Sequence, residues 1–218
     1  MVNVISVANQ KGGVGKTTTT INLAASIADR GYRVLIVDID PQGNATSGLG
    51  IEKSEIDQDI YNVLIDEIPI QDTIHHTSTP KLDMVPATIN LSGAETELIS
   101  MMARETRLKS ALDAISDQYD FVFIDCPPSL GQLSINAFTA SDSILIPVQS
   151  EYYAMEGLSQ LLNTIRLVQK HFNKDLGVEG VLLTMLDART NLGAEVVKEV
   201  QSYLARKFIR PSFLELLN

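Results

Sequence analysis

The chain opens on an alternation of apolar and polar segments. A short apolar run, Val4–Ala8, leads into a glycine-rich segment, and residues 18–30 then carry apolar side chains at helical spacing. A second apolar run, Val34–Val37, follows at once and consists of β-branched and aliphatic residues, as in strands buried on both faces of a parallel sheet. This order predicts a strand, a loop, a helix and a second strand.

The alternation continues along the chain. Apolar runs predict four more strands, at Leu82–Val85, Phe121–Ile124, Ser143–Val148 and Val181–Met185. Helical spacing predicts three more helices, at Leu91–Ile115, Ala154–Phe172 and Leu192–Phe208. Strands that alternate with helices need crossover connections. We therefore predict an α/β fold, a mostly parallel twisted sheet with helices on both faces, in a single domain over residues 1–218.

Composition indicates the compartment. The 218 residues are 44% hydrophobic and include one cysteine, Cys126, so an intrachain disulfide is excluded and a reducing cytoplasm is expected. Cys126 is expected to be a small buried residue at a strand end. His75 and His76 are expected in an exposed loop, because no ligand partners stand at zinc spacing. No apolar run approaches the ~18 residues of a membrane span, and the N-terminus lacks signal-peptide features, so no membrane insertion is expected.

The net charge of −10 is unevenly distributed. The acidic excess lies within residues 1–150, whereas residues 151–218 carry equal numbers of acidic and basic side chains. A protein covered with basic surface is therefore excluded. A local basic face for nucleic acid in the last third stays open.

The segment from Gln10 to Thr18 has the composition of a phosphate-binding loop. It lies between the first predicted strand and helix, and its glycines allow backbone N–H groups to turn towards an anion. Lys16 can reach the terminal phosphates, and Thr17 offers a hydroxyl to Mg²⁺. The first glycine of the strict P-loop pattern is replaced by Gln10. The alternative, a glycine-rich turn with solvated lysines, is much less favoured by this context.

Acidic residues follow two of the predicted strands. Asp38 and Asp40 stand at the carboxyl end of the second strand, where parallel sheets bind ligands, and their spacing of two lets them share one polar site. Asp125 follows the strand Phe121–Ile124 and is a candidate to organise Mg²⁺. Asp38 is also a possible metal ligand, although it can simply hydrogen-bond the loop.

Five ordered segments together resemble the ParA/Soj chromosome- and plasmid-partitioning ATPases. They are residues 11–18, 37–46, 121–128, 147–162 and 184–190. The resemblance covers about residues 1–205 and implies a P-loop NTPase fold with a deviant Walker A motif. It also implies ATP and Mg²⁺ as cofactors, a homodimer formed on ATP binding, non-specific DNA binding by that dimer, a nucleoid-associated location, and hydrolysis stimulated by a ParB-type partner.

The resemblance also implies residue roles. Lys11 would reach the nucleotide of a partner subunit, Lys16 would hold the β- and γ-phosphates, and Asp40 would orient the attacking water. Thr17 would ligate Mg²⁺ directly, Asp125 through water, and Arg189 would contact DNA. The implied nucleotide-binding residues are Lys11, Gly12, Gly13, Val14, Gly15, Lys16, Thr17 and Thr18.

The end of the chain departs from the family pattern. Residues 206–218 diverge, so the fold is expected to lack the family's usual last strand and helix, with reduced activity. Two other functions stay open. One is a MinD-like membrane-recruited ATPase that places the division site, for which the tail is a faint candidate amphipathic segment. The other is an inactive remnant that binds partners only.

Overall fold

The computed structural model describes residues 2–149, 154–185 and 208–209. Its strands are β1 Asn3–Val7, β2 Val34–Asp38, β3 His75–His76, β4 Leu82–Val85, β5 Phe121–Asp125, β6 Ser143–Gln149, β7 Gly177–Thr184 and β8 Phe208–Ile209. Its α-helices are α1 Lys16–Asp29, α2 Asn44–Gly48, α3 Ile60–Ile65, α4 Leu91–Glu97, α5 Arg107–Asp113, α6 Gln132–Ala140 and α7 Ala154–His171. Short 3₁₀ helices lie at Lys53–Glu55, Ile70–Thr73 and Leu98–Ser100.

The strands form one sheet in the order β3-β4-β2-β5-β1-β6-β7-β8. All neighbours are parallel except β3 and β4. In the register of the three central strands, Asp125 pairs with Val7 on one side and with Asp38 on the other. The carboxyl ends of β2, β5 and β1 therefore meet at one edge of the sheet, the edge at which open α/β sheets bind ligands.

Alternation along the strands produces an apolar layer on each face. On one face Val7, Ile36 and Phe123 pack with Ala24 and Ala28 of α1. The other face carries Leu35, Val37, Ile124 and Ile146, covered by residues of α3 to α7. Helices therefore cover both faces, as predicted, and the α/β fold class is confirmed.

The predicted strands agree with the structure to within a residue or two at most ends. The exception is the predicted strand Val181–Met185, because β7 begins four residues earlier, at Gly177. The predicted helix Ala154–Phe172 corresponds to α7, and the helix predicted over residues 18–30 corresponds to α1. Cys126 is buried, as expected, directly after β5.

The single helix predicted over Leu91–Ile115 is wrong. The structure has α4, a 3₁₀ turn, a non-helical connection and α5. Met101 is extended and Ala103 has a φ of 52°, although neither is a helix breaker. The physical reason is tertiary: Asn136 on α6 donates to the Arg104 carbonyl at 2.7 Å and accepts from the Leu108 N–H at 3.3 Å, so these bonds replace those of a continuous helix.

Several short elements were not predicted. They are α2, α3, α6, β3 and β8. His75 and His76 do not lie in a loop but form β3, and His76 lies 2.7 Å from Asp83 on β4. The helix predicted over Leu192–Phe208 lies outside the described residues except for Phe208, which begins β8 beside Val181.

Candidate nucleotide site

The loop between β1 and α1 exposes the start of a helix to a ligand. Gly13 and Gly15 have φ values of 74° and 88°, a left-handed conformation that favours glycine, and Gly15 precedes the first helical residue. Among the residues that the structure describes, no side chain caps this end of α1. The amide groups of the first turn can therefore donate to an anion, where the helix dipole also favours negative charge.

Two side chains outside the motif fix the loop in place. Asn9, which is buried, donates from Nδ2 to the Pro147 carbonyl at 2.6 Å and accepts from the Lys11 N–H at 3.0 Å. At the end of β7, the Thr184 hydroxyl donates to the Val14 carbonyl at 2.7 Å. Residues of β6 and β7 therefore hold the loop in place, β6 through Asn9 and β7 through Val14. Sequence reasoning missed the roles of Asn9 and Thr184, since Pro147 and Thr184 lie far from the loop in sequence.

Lys16 places a buried ammonium group inside the loop. Its side chain donates to the Lys11 carbonyl at 3.2 Å, and the residue is 8% exposed. Burial lowers the pKa of Lys16, and the nearby charges of Asp125 and Asp40 partly oppose this effect. A polyanion bound in the loop would restore favourable partners to this desolvated cation.

Asp125, the last residue of β5, is connected to the first turns of α1. It is fully buried and accepts a hydrogen bond from the Thr17 hydroxyl at 2.7 Å. The Thr20 hydroxyl lies between the other Asp125 oxygen, at 3.1 Å, and the Lys16 carbonyl, at 3.0 Å. Burial raises the pKa of Asp125 to about 6, while Thr17, Thr20 and Lys16 lower it. Thr20 was not among the predicted site residues.

This arrangement fits Mg²⁺ chemically. The Thr17 hydroxyl donates its hydrogen bond to Asp125, so the lone pairs of its oxygen can face a cation, and Asp125 would then lie in the outer shell. Among the residues that the structure describes, no group of three or more His, Cys, Asp or Glu side chains could enclose a metal. A site with few protein ligands is typical of Mg²⁺ that is shared with phosphates.

Asp38 pairs with Asp125 in the sheet, but its carboxylate is held by the segment that follows its own strand, β2. One oxygen accepts the Asp40 N–H at 3.1 Å, and the other accepts the Thr46 N–H at 2.9 Å and the Thr46 hydroxyl at 2.8 Å. Burial and the Asp125 charge raise the pKa of Asp38 to about 7. These bonds match the expectation that Asp38 hydrogen-bonds the loop, and its metal role stays a prediction. Sequence reasoning missed Thr46.

Asp40 begins the turn that follows β2. It is 7% exposed, and its Oδ1 accepts the Gln42 N–H at 2.9 Å. Its charge acts on both Lys16 and Asp125, so the structure brings Asp40 into the region of these two residues. Arg189, the predicted DNA contact, lies outside the described residues.

Comparison with known proteins gives the class of this site. The model of a family described as an AAA domain matches residues 2–178. The chain therefore belongs to this family, and with the loop described above it is a P-loop ATPase.

Curated relatives narrow the class further. The chain is 63% identical over 207 residues to the sporulation initiation inhibitor protein Soj of Bacillus subtilis (strain 168), covering 95% of this chain and 82% of that protein. It is 54% identical over 204 residues to the chromosome partitioning protein ParA of Myxococcus xanthus (strain DK1622), covering 94% and 72%. The chain belongs to the ParA/Soj family of partitioning ATPases, which confirms the resemblance.

A solved structure supports the fold. Cobyrinic acid a,c-diamide synthase from Mycobacterium smegmatis, with bound ADP and magnesium, superposes with a TM-score of 0.89 at 40% identity, covering 93% of this chain and 82% of that one. Its identity to the chain is lower than that of the two relatives named above. It shows a chain with this fold that holds a nucleotide together with the metal.

Proposed function

We propose that the chain is a Mg²⁺-dependent ATPase that switches DNA partitioning. Lys16 and the amide groups at the start of α1 hold the β- and γ-phosphates, and Thr17 holds Mg²⁺ with Asp125 behind it. Asp40 orients the water that attacks the γ-phosphate. In phosphoryl transfer, positioning and charge stabilisation supply most of the catalysis. When bound, Mg²⁺ would neutralise charge on the phosphate oxygens.

The observation that carries this proposal is the joint placement of Lys16, Thr17 and Asp125. A buried ammonium group, a hydroxyl that donates its hydrogen bond to a carboxylate and a helix start that no side chain of the described residues caps all lie on one loop. A glycine-rich turn with solvated lysines would not bury Lys16. This arrangement suits a triphosphate with its metal.

We further propose that ATP joins two copies of the chain, with Lys11 reaching the nucleotide of the partner. Gly12 supports this step. Its φ is not in the left-handed region, and a Cβ built on it meets no atom within 4 Å. The described residues therefore give no reason for a glycine at this position. Close approach by a second copy supplies one.

DNA binding by the ATP-bound dimer and stimulation by a ParB-type partner complete the proposal. Arg189 would contact DNA phosphates. A chain with net charge −10 binds a polyanion weakly as a single copy, so doubling a local basic surface through dimerisation couples DNA binding to ATP. The proposed location is therefore the nucleoid.

The test combines three measurements on the purified chain and on Lys16→Ala. We expect Mg²⁺-dependent ATP binding and turnover, retention of arbitrary duplex DNA only with ATP, and faster turnover with a ParB-type protein. Lys16→Ala should lose at least about ten-fold in ATP affinity, because hydrogen bonds to charged groups contribute about 1.5–3 kcal/mol each.

Other outcomes would point to other functions. ATP-dependent sedimentation with anionic liposomes, without DNA retention, would indicate a MinD-like ATPase. Among the described residues no helix is long and apolar enough to cross a membrane. Equal ATP binding by the wild type and Lys16→Ala would contradict the phosphate site itself. ATP binding with no turnover, even with a ParB-type protein, would indicate a non-catalytic remnant.

A further inference from the structure

The turn that carries Asp40 is held together by its own backbone. The Gln42 N–H donates to Asp40 Oδ1 at 2.9 Å, and the Gly43 N–H donates to the Asp40 carbonyl at 2.8 Å. The position of the Asp40 carboxylate therefore depends on where residues 42 and 43 lie. Any group that fixes these two residues also fixes Asp40.

Lys53 is such a group, and it comes from a separate element. It begins the 3₁₀ helix Lys53–Glu55, and its ammonium group donates to the Gln42 carbonyl. The N–H of the same peptide group, that of Gly43, donates to the Asp40 carbonyl. Lys53 thus holds the turn from an element outside it.

The stem of Lys53 also packs on the turn. Gly43 has a φ of 57°, and a Cβ built on it would lie 2.7 Å from Lys53 Cε and 2.5 Å from the Ala87 carbonyl oxygen. The absence of a side chain at position 43 leaves the space that the Lys53 stem occupies. This contact is independent of the hydrogen bond and places Lys53 against the same turn.

A cavity also borders this turn. A cavity of about 370 Å³ lies here, and its lining includes Pro41, Gln42 and Lys53. Because a cavity provides no packing atoms, the outer face of the turn has few van der Waals contacts to hold it. The turn is therefore restrained here by the Lys53 contact together with the Ala87 backbone, which also lies against Gly43.

We propose that Lys53 is a positioning residue for ATP hydrolysis, acting through the turn 41–43 on the Asp40 carboxylate. This inference rests on the proposed role of Asp40 in orienting water. A rate that depends on geometry falls steeply with misplacement, by about 100-fold for about 1 Å. Lys53 would therefore affect turnover more than nucleotide affinity, since the contacts of Lys53 described above are with Gln42 and Gly43, in the turn that carries Asp40.

The test uses Lys53→Met, which keeps an unbranched stem but removes the ammonium group. The matched control is Lys81→Met. Lys81 also donates to a loop carbonyl, that of Gly31 at 2.7 Å, and its ammonium nitrogen lies 3.4 Å from a Cβ built on Gly31. Both variants lose one positive charge and one lysine-to-carbonyl bond. The Lys81 contact involves no residue of the proposed site.

Two measurements are made on each protein. The first is kcat and KM for ATP with Mg²⁺, with Lys16→Ala as the inactive baseline. The second is amide hydrogen exchange of Gln42 and Gly43 without nucleotide. We expect Lys53→Met to lower kcat at least about five-fold with KM within about two-fold. It should also speed exchange of these two amides, while Lys81→Met matches the wild type in both measurements.

The outcomes separate the two proposals. Unchanged kcat in Lys53→Met, or a rise in KM alone, would overturn the role of Lys53 while leaving the ATPase proposal intact. Wild-type turnover no higher than that of Lys16→Ala would instead sink the proposed function. Amide exchange then decides on Lys53 by itself: equal exchange in the wild type and Lys53→Met overturns the positioning contact, and faster exchange supports it.

Discussion

Two neighbouring aspartates, Asp38 and Asp125, have the same burial but different partners. Asp125 accepts from Thr17 and Thr20, which belong to the helix that begins at the phosphate loop. Asp38 accepts from Asp40 and Thr46, which belong to the segment after its own strand. Asp125 is thus connected to the ligand side of the site, whereas Asp38 stabilises the connection that carries Asp40.

The raised pKa values of this pair predict how stability depends on pH. In the unfolded chain an aspartate titrates at about 3.9. The native pKa values are about 7 for Asp38 and about 6 for Asp125, so the native state keeps protons that the unfolded state has lost. The free energy of unfolding of the nucleotide-free protein should therefore fall as the pH rises from about 4 to about 7.

The variant Asp38→Asn tests this dependence, because asparagine does not titrate. Urea unfolding across this pH range should give a flatter slope than for the wild type, whatever the stability of the variant at any single pH. Asp113→Asn on α5 removes the same charge from an exposed site, together with an ion pair to Lys109, and measures the effect of the lost charge alone. An equally steep slope in Asp38→Asn would contradict the raised native pKa.

Asp40 leads to a prediction about turnover. Asp40→Ala should still bind ATP but hydrolyse it about 100-fold or more slowly, since proton transfer and water positioning by a side chain contribute about 10²–10⁴-fold. Fluorescent-nucleotide titration and single-turnover hydrolysis separate the two effects. Turnover at the wild-type rate would refute the assigned role of Asp40.

The residues of the candidate site divide into predictable and unpredictable groups. Lys16, Thr17 and Asp125 follow from the loop motif and from a carboxylate at a strand end. Asn9, Thr20, Thr46, Thr184 and Lys53 do not. These residues act by hydrogen bonds to backbone or to a buried carboxylate, and most of their partners lie far away in sequence. The sequence alone does not show which distant residue such a threonine or lysine will contact, so its role in the site could not be predicted.

At the scale of elements, Thr46 joins α2 to the loop after β4. Its hydroxyl donates to Asp38 at the end of β2 and accepts the Ala87 N–H at 3.0 Å. One side chain thus satisfies a buried group on a strand and another in a loop. Thr46→Val would leave the Ala87 N–H without this acceptor and Asp38 with one donor fewer. Both groups are buried.

We therefore expect Thr46→Val to lower the free energy of unfolding by about 2 kcal/mol or more, since a buried unsatisfied group costs about 1–3 kcal/mol. Thr139→Val is the matched control. Thr139 is equally buried, but its hydroxyl donates only to the Ile135 carbonyl of its own helix, at 2.7 Å. Urea unfolding should show the larger loss for Thr46→Val, and equal losses would contradict the bridging role.

An element could be predicted where its cause lies within its own segment, and not where a distant residue determines it. Strands such as Val34–Asp38 could be predicted, because a short run of β-branched and aliphatic residues is typical of a parallel strand that is buried on both faces. The break near Met101 was not, because its cause is Asn136 on another helix. The start of α3 did carry a local signal, since Asp59 and Asn62 form a reciprocal capping box.

At the scale of the molecule, the charge distribution gives a prediction for DNA. Arg189→Ala should weaken ATP-dependent retention of duplex DNA at fixed salt, because each neutralised phosphate releases counterions. Lys81→Ala removes the same charge elsewhere and should retain DNA like the wild type. Filter-binding curves at several salt concentrations should give a shallower salt slope for Arg189→Ala. An unchanged curve would remove Arg189 from the DNA contact.

The hydrogen bond from Thr184 to the Val14 carbonyl has a consequence for biosynthesis. It joins residues 170 positions apart, and β1 itself lies between β5 and β6, which come much later in the chain. A nascent polypeptide therefore emerges from the ribosome with its first segment lacking both lateral neighbours. The lateral contacts of the first strand and of the loop after it can therefore be completed only once translation has passed β7.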